Sequence, residues 1–252
     1  MKKILLSVTV AAALGSMAMA GGDYVPAVPV APMDSWSGPY VGAHVGYIWG
    51  DADVTIDDWN GPGQDAHANG LNVDGFLGGV FAGYNWRLQD DWLVGVEVGF
   101  NWMSNDDEKM FESYDSNPGA PDYGYIKNYY KVKQDWEASI VGRVGKIMEE
   151  TYLPYILAGI SWTKLEGRYK HEEQQINGWT TSESNWDSDT VMGFTVGVGV
   201  EYKFNENLHA RLEYRYNNYQ KADLHHQFMG RDLDSHIDYN TNVITAGIVY
   251  KF

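Results

Sequence analysis

The sequence predicts an all-β protein, an eight-stranded antiparallel up-and-down transmembrane β-barrel. Three observations predict this fold: the hydrophobicity alternates with a period of two from residue 40 onward, the apolar faces begin and end in aromatic residues, and short connections alternate with long ones. Each predicted strand has about ten residues, the length that crosses a bilayer when a strand is tilted.

The composition excludes several classes of protein. The chain has 252 residues, no cysteine and a formal net charge of −16. The missing cysteine excludes a scaffold held together by disulfides, and 44% apolar residues argue against a disordered chain. No nucleic-acid partner is expected, because binding to the phosphate backbone depends on clustered Lys and Arg.

The N-terminal segment predicts export. Lys2 and Lys3 precede an apolar stretch, and Ala18-Met19-Ala20 has the small-x-small pattern that a signal peptidase cuts. We therefore assign residues 1–20 to a signal peptide. Residues 21–35 contain three prolines and are expected to form an extended periplasmic tether, which leaves 36–252 for the barrel.

The first four predicted strands alternate apolar residues with glycine and polar residues. Segment 40–49 sets Val, Ala, Tyr and Trp against Tyr, Gly and His, and segment 76–87 sets Phe, Val, Tyr and Trp mainly against Gly, Asn and Arg. Segment 92–102 begins and ends in Trp with a Glu in the middle of its other face, and segment 135–145 is a noisier example with an Arg there. This is the period of a strand and not of a helix.

The last four predicted strands repeat the pattern. They cover 155–163, 192–202, 208–216 and 244–252. Segment 192–202 is the clearest, because its apolar residues alternate with Gly, Thr and Glu. The face of 208–216 that opposes its Leu and Tyr residues carries His, Arg and Glu.

A soluble β-sandwich is the competing interpretation. A sandwich would place its aromatic residues in the core at mid-strand, and it could not bury Arg and Glu at mid-strand. The connections also favour a barrel, because short turns at 88–91, 147–150 and 205–207 alternate with long loops. The long loops are predicted at 51–70, 103–130, 164–189 and 217–242. Short periplasmic turns and an even strand number would place both termini in the periplasm.

The polar face predicts a filled, charge-paired lumen. An eight-stranded barrel is only wide enough for its own side chains, and buried charges need partners. Adjacent strands are expected to bring Glu97 near Arg143 and Glu201 near Arg211. The alternative is a solvated interior in which the charges pair loosely. The residues of the predicted network are Glu97, Arg143, Glu201, Arg211, Glu213 and Arg215.

Several segments resemble the small porin-like outer-membrane barrel family of alpha-proteobacteria, which includes surface antigens and hemin-binding proteins. They are the Trp36-Ser37-Gly38-Pro39-Tyr40-Val41-Gly42 run, residues 75–86, Leu153-Pro154-Tyr155 and Glu213-Tyr214-Arg215-Tyr216. Pro39 departs from the family, which usually has an aromatic residue there, but proline is tolerated at the start of a strand. The resemblance implies a multi-pass protein of the cell outer membrane.

The end of the chain resembles a signal for membrane assembly. Ile248, Tyr250 and Phe252 alternate along the last strand, like the C-terminal aromatic signature that the bacterial outer-membrane assembly machinery recognises. We therefore expect that machinery, outer-membrane lipid and lipopolysaccharide as partners, with host or environmental surface ligands for the loops.

No metal or cofactor is predicted. Asp51, Asp53, Asp57 and Asp58 lack the glycine and the terminal glutamate of a calcium loop. The pair His225-His226 could ligate heme iron, but adjacent histidines in a loop are more often polar surface.

No enzymatic activity is predicted either. Ser235-His236 lies near Asp232 and Asp234, yet adjacent strand residues point to opposite sides, and no glycine elbow accompanies the serine. The predicted function is a structural, envelope-stabilising and surface-interaction role. The alternative is a porin-like channel for small solutes or a hemin-uptake protein.

Overall fold

A computed structural model describes residues 35–56, 66–114, 124–175, 180–228 and 231–252 of the chain. The predicted signal peptide and residues 21–34 of the predicted tether lie outside this part. The described strands are β1 Gly38–Ile56, β2 Ala66–Arg87, β3 Trp92–Tyr114, β4 Gly124–Lys146, β5 Tyr152–Gln175, β6 Thr180–Lys203, β7 Leu208–Tyr219, β8 Ala222–Phe228 and β9 Arg231–Lys251.

The strands close into a barrel. Each strand from β1 to β6 pairs with the next in antiparallel fashion, β7 pairs with β9, and β9 pairs with β1. The closing ladder runs from Tyr40 opposite Lys251 to Ile56 opposite Ser235. β8 pairs with the first part of β9 and β7 with the rest. β7 and β8 together therefore count as one strand of the barrel wall. The described strands therefore form the predicted eight-stranded up-and-down barrel, which is confirmed.

The predicted long loops were wrong in extent, because most of their residues are strand. β5 and β6 have 24 residues each, and the β3–β4 ladder continues to Tyr114 opposite Tyr125. Apolar alternation marks only the part of a strand that lies in hydrocarbon. A ladder that continues into water needs no apolar face, so the sequence pattern does not show it.

The connections at the two ends of the barrel differ, as predicted. At one end the strands are joined by the short segments 88–91, 147–151 and 204–207, and we call this the turn end. Asp90 and Glu149 have positive φ angles of 57° and 53°, which these tight turns require. At the other end, which we call the hairpin end, the long strand pairs extend beyond the apolar band.

The outer surface of the barrel is apolar and bounded by aromatic side chains. Val198, at mid-strand on β6, is 55% exposed, and its neighbour Ile156 on β5 is 63% exposed. The turn-end belt contains Trp86, Trp92, Tyr152, Tyr202 and Tyr250, and the hairpin-end belt contains Phe100, Trp102, Trp136 and Trp162. Among the described residues, no helix is long and apolar enough to cross a membrane.

Val198→Arg should destabilise the barrel by about 2–4 kcal/mol, because it places a charge at the midplane of the apolar band. The measurement is urea unfolding of the protein in lipid vesicles. Leu88→Arg, in a short turn, is the matched control and should cost no more than about 1 kcal/mol. Equal unfolding midpoints for the two variants would show that the inward and outward faces are assigned wrongly.

Candidate functional site: a charge-paired lumen

Because strand residues alternate in direction, a set of charged side chains points into the interior of the barrel. Among the described residues, four carboxylates and four Lys or Arg side chains are buried, so their formal charges balance. They are Glu97, Glu137, Glu201, Glu213, Arg143, Arg211, Arg215 and Lys251. Balance matters here because a charge removed from bulk water is strongly destabilising without a partner.

Arg211, on β7, lies at the centre of the network. Its Nη1 donates to Glu97 Oε2 at 2.6 Å, and its Nη2 donates to Glu201 Oε1 at 2.7 Å. A third carboxylate, on Glu213, lies 4.0 Å from Nη1. Glu97 comes from β3, on the opposite wall, so one guanidinium group links two sides of the barrel across the lumen.

Arg143, on β4, pairs with Glu201 and not with Glu97, which corrects the expected pairing. Its Nη1 donates to Glu201 Oε1 at 2.6 Å, and its Nε and Nη2 donate to Asn85 Oδ1 at 3.1 and 3.0 Å. The β3–β4 register places Gly95 opposite Arg143. The glycine leaves space, and the long side chain of Arg143 extends across the lumen to β6.

Arg215, on β7, completes the connections. Its Nη2 donates to Glu97 Oε1 at 3.1 Å, its Nε donates to Glu213, and its Nη1 donates to Ser139 Oγ at 3.2 Å. The expected contact between Glu201 and Arg211 is present as well. The structure thus brings all six predicted residues into one network: Glu97, Arg143, Glu201, Arg211, Glu213 and Arg215.

Two tyrosines support the charged groups. Tyr40 donates to Glu97 Oε2 at 2.8 Å, and Tyr155 donates to Glu213 Oε2 at 2.5 Å. The guanidinium carbon of Arg143 lies 4.6 Å from the ring centre of Tyr40 and 5.1 Å from that of Tyr155. The rings therefore provide both hydrogen-bond donors for carboxylates and π faces for a cation.

Glycines on the neighbouring strands make room for these rings. A Cβ added at Gly83 would clash with the Tyr40 side chain, and one added at Gly199 would clash with the ring of Tyr155. Side chains at both positions would point into the lumen. The two large tyrosines fit because their neighbours have no side chain.

Sequence reasoning missed a second polar layer around Glu137. This buried carboxylate accepts hydrogen bonds from Asn101 Nδ2 at 3.3 Å, Asn217 Nδ2 at 3.1 Å and Tyr219 OH at 2.8 Å. Strand parity placed Glu137 on the polar face, but Tyr219 belonged to a predicted loop. The available signal was continued alternation past residue 216, where Asn217 and Tyr219 keep the inward parity.

Trp36 closes the turn end of the lumen. It is fully buried in an apolar cluster with Leu93, Ile147 and Leu153. Its carbonyl oxygen accepts a hydrogen bond from Lys251 Nζ at 3.2 Å. Toward the hairpin end, a second buried apolar cluster lies inside the barrel and contains Ile48, Leu77, Met103 and Val243. The charged network is therefore enclosed by apolar side chains on both sides.

The C-terminal residues of the predicted assembly signal lie on the outer surface. Ile248, Tyr250 and Phe252 are all exposed, and the rings of Tyr250 and Phe252 are in contact. The backbone of His225 and His226 belongs to β8, but their side chains lie outside the described part of the structure.

The remaining site candidates are only partly covered. Asp51 and Asp53 are exposed on β1, whereas Asp57 and Asp58 lie outside the described residues. Within the described ranges, no group of three His, Asp or Glu side chains is arranged to hold a metal ion. Ser235 and His236 belong to β9, opposite Leu224 and Asp223.

Sequence comparisons place the chain among outer-membrane proteins. The profile of the outer membrane protein beta-barrel domain family matches residues 6–252. The 31 kDa outer-membrane immunogenic protein of Brucella melitensis is 28% identical, with all of both chains covered. The 22 kDa outer membrane protein of Rhizobium leguminosarum is 31% identical over 89% of this chain and 82% of its own.

Solved structures of outer-membrane proteins also match the chain. The outer membrane protein OprG from Pseudomonas aeruginosa has a TM-score of 0.47 and 15% identity, and the match covers 86% of this chain and 96% of OprG. The family resemblance drawn from the sequence is confirmed by the family profile and the curated relatives.

Glu201→Gln should lower the free energy of unfolding by about 3 kcal/mol, because Arg143 and Arg211 would lose an anionic partner in a buried site. The measurement is again urea unfolding in vesicles. Glu206→Gln is the control, since Glu206 is exposed in a turn and lies 3.7 Å from Lys203. The control should change stability by less than about 0.5 kcal/mol. Equal effects would indicate a solvated lumen.

Gly199→Ala should destabilise the barrel by about 1–3 kcal/mol, because the new methyl group would overlap the Tyr155 ring. Gly142→Ala is the matched control. Gly142 also lies at mid-strand, but a Cβ there points outward and its nearest neighbour, Ala158 O, is 3.9 Å away. A larger loss of stability for the control would contradict the inward placement of Gly199.

Proposed function

Because the chain belongs to the outer membrane protein beta-barrel domain family, we propose that it is a non-conducting barrel that stabilises the envelope and presents its long hairpins at the cell surface. The single observation that carries this proposal is the balanced charge network that fills the lumen. The outer-membrane location follows from the family itself.

The network favours a closed barrel over a solute channel. An eight-stranded barrel has an interior that its own side chains can fill. Here Arg211 spans the lumen from β7 to β3, and Arg143 extends from β4 to Glu201 on β6. Trp36 adds an apolar closure at the turn end. Solutes would have to displace paired charges and buried rings in order to pass.

The long hairpins support a surface-interaction role. β1–β2, β3–β4 and β5–β6 continue well beyond the hairpin-end belt, and the predicted loop segments at these three hairpins carry half of the acidic residues of the chain. Relatives from Brucella are named outer-membrane immunogenic proteins, which fits proteins that expose such segments. The proposal includes no catalysis, because Ser235 and His236 are adjacent on β9 and alternate in direction.

We place the turn end and both termini in the periplasm. Lys251 N bonds Asn207 O at 2.8 Å, and Phe252 N bonds Pro39 O at 3.3 Å. Both termini of the barrel therefore lie beside the short turns. Bacterial outer-membrane barrels have short periplasmic turns and longer extracellular connections, and this asymmetry supports the orientation.

The unmodified protein should show no stable conductance in planar bilayers. Arg143→Ala should produce discrete channel openings, because it removes the group that holds Glu201 and Asn85 together. Arg87→Ala is the control. It removes a cation that pairs with Glu150 near the short turns, and it should show no conductance. Large conductance from the unmodified protein would reject the closed barrel.

The orientation is testable because the chain has no cysteine of its own. A maleimide too large to cross the outer membrane should label Lys221→Cys on intact cells, since Lys221 is exposed near the hairpin end. Glu206→Cys, exposed in a short turn, should react only after lysis. The opposite labelling pattern would reverse the assignment of periplasmic and extracellular ends.

A further inference from the structure

Beyond the hairpin-end belt, the wall of the barrel divides into two sheets. The β2–β3 ladder ends at Gly75 opposite Asn105, and the β6–β7 ladder ends at Gly193 opposite Tyr219. Past these points, β3, β4, β5 and β6 stay paired with one another, and β8, β9, β1 and β2 form a second set. Among the described residues, no ladder joins β6 to β8. The extended part of β6 is therefore the edge of a sheet.

We call this break in pairing between β6 and β8 the seam, and backbone groups of β6 face it. Met192 O accepts a hydrogen bond from Gln220 N at 2.9 Å, so the backbone of Met192 is directed away from β5. Every second residue of a strand directs its N–H and C=O to the same side. Thr190 and Ser188 therefore direct theirs toward the seam, where β5 cannot bind them.

Two aspartate side chains of β6 bind these backbone donors. Ser188 N donates to Asp187 Oδ1 at 2.8 Å, and Thr190 N donates to Asp189 Oδ1 at 2.7 Å. In a paired sheet, an N–H group in this position donates to a carbonyl oxygen of the neighbouring strand. The two carboxylates therefore satisfy donors that a neighbouring strand would otherwise bind.

The same two aspartates give the seam a negative charge. Asp187 and Asp189 have the strand parity of the buried Val191, so they point to the inner side of the sheet, and both are partly exposed. The β5 residues opposite them, Gly167 and Leu165, are uncharged. A strand added at the seam would meet both aspartates at non-hydrogen-bonded positions, where opposed side chains lie closest. The seam therefore favours a strand with basic side chains.

We propose that the seam binds an extended peptide segment of another protein that carries Lys or Arg at alternate positions. The backbone of this segment bonds Ser188 and Thr190, and its bases lie beside Asp187 and Asp189. Strand addition gains affinity from main-chain hydrogen bonds and specificity from alternate side chains, and opposite charges at opposed positions stabilise a strand pair. On binding, each carboxylate exchanges a backbone donor for a cation. This inference rests on the proposed exposure of the hairpins at the cell surface.

A second copy of the chain does not fit the seam. Antiparallel pairing of two β6 edges centred on Ser188 would set Asp187 of one copy against Asp189 of the other, and like charges directly opposite each other destabilise a sheet. Inward-pointing charges are a known protection of edge strands against pairing with their own copies. The net charge of −16 adds repulsion between copies and attraction for a basic segment. The two carboxylates therefore oppose self-association and select a cationic partner.

The test is fluorescence anisotropy of a labelled peptide of alternating Lys and Thr, about eight residues long, titrated with the full-length protein in detergent at about 0.15 M salt. Asp187→Asn/Asp189→Asn should bind it about tenfold more weakly, because the amides keep an acceptor for the backbone donors but lose the charge. Asp51→Asn/Asp53→Asn is the matched control and should bind normally. These acids have the same spacing on β1, which pairs with both β2 and β9. Heat-modifiable migration on gels checks that every variant is folded.

A second peptide separates strand pairing from simple attraction of charges. It carries N-methyl groups on its Thr amides, which removes the donors that face β6 and keeps every Lys. It should bind about tenfold more weakly than the first peptide. Equal affinities for the two peptides, equal affinities of the unmodified protein and Asp187→Asn/Asp189→Asn, or no binding at all would overturn the proposal. Binding in detergent does not depend on orientation or conductance, so failure here is distinct from failure of the labelling and bilayer experiments.

Discussion

Hydrogen bonding between β1 and β9 is the interaction on which the rest of the structure depends. In hydrocarbon, each backbone N–H and C=O without a partner costs several kcal/mol, on the order of the cost of a lost buried hydrogen bond. The ladder from Tyr40–Lys251 to Ile56–Ser235 removes both edges of the sheet. Once the sheet is closed, each strand residue within the apolar band faces either lipid or lumen, and this division decides which side chain each position can carry.

Closure of the barrel also separates the charged side chains of the lumen from bulk water. A cylinder of eight strands encloses too little space for bulk water, so charged side chains that point inward must find partners among themselves. Arg211 does this for Glu97 and Glu201, which lie on different walls. The contacts that neutralise the charges therefore also brace the barrel, and stability and closure to solutes arise from the same set of hydrogen bonds.

The sequence predicted the features that the hydrocarbon layer imposes, such as which side chains point inward. It missed the features that this layer does not impose, such as which charged groups pair. Strand parity identified the inward Glu and Arg residues, because lipid tolerates neither on the outer face. Parity could not identify partners, since Arg143 reaches Glu201 two strands away instead of its neighbour on β3. The polar extension of β3 to Tyr114 and the role of Trp36 also escaped, because ladders in water and single closing side chains leave no periodic signal.

The same residue types serve two purposes that depend only on the side of the wall they occupy. Inside, four carboxylates balance four Lys or Arg side chains among the buried residues that the structure describes. Outside, Lys131 and Arg168 lie directly opposite each other on β4 and β5, at positions that are not buried. A charge on the outer wall beyond the apolar band can be solvated by water, whereas a charge in the lumen needs a partner inside the barrel.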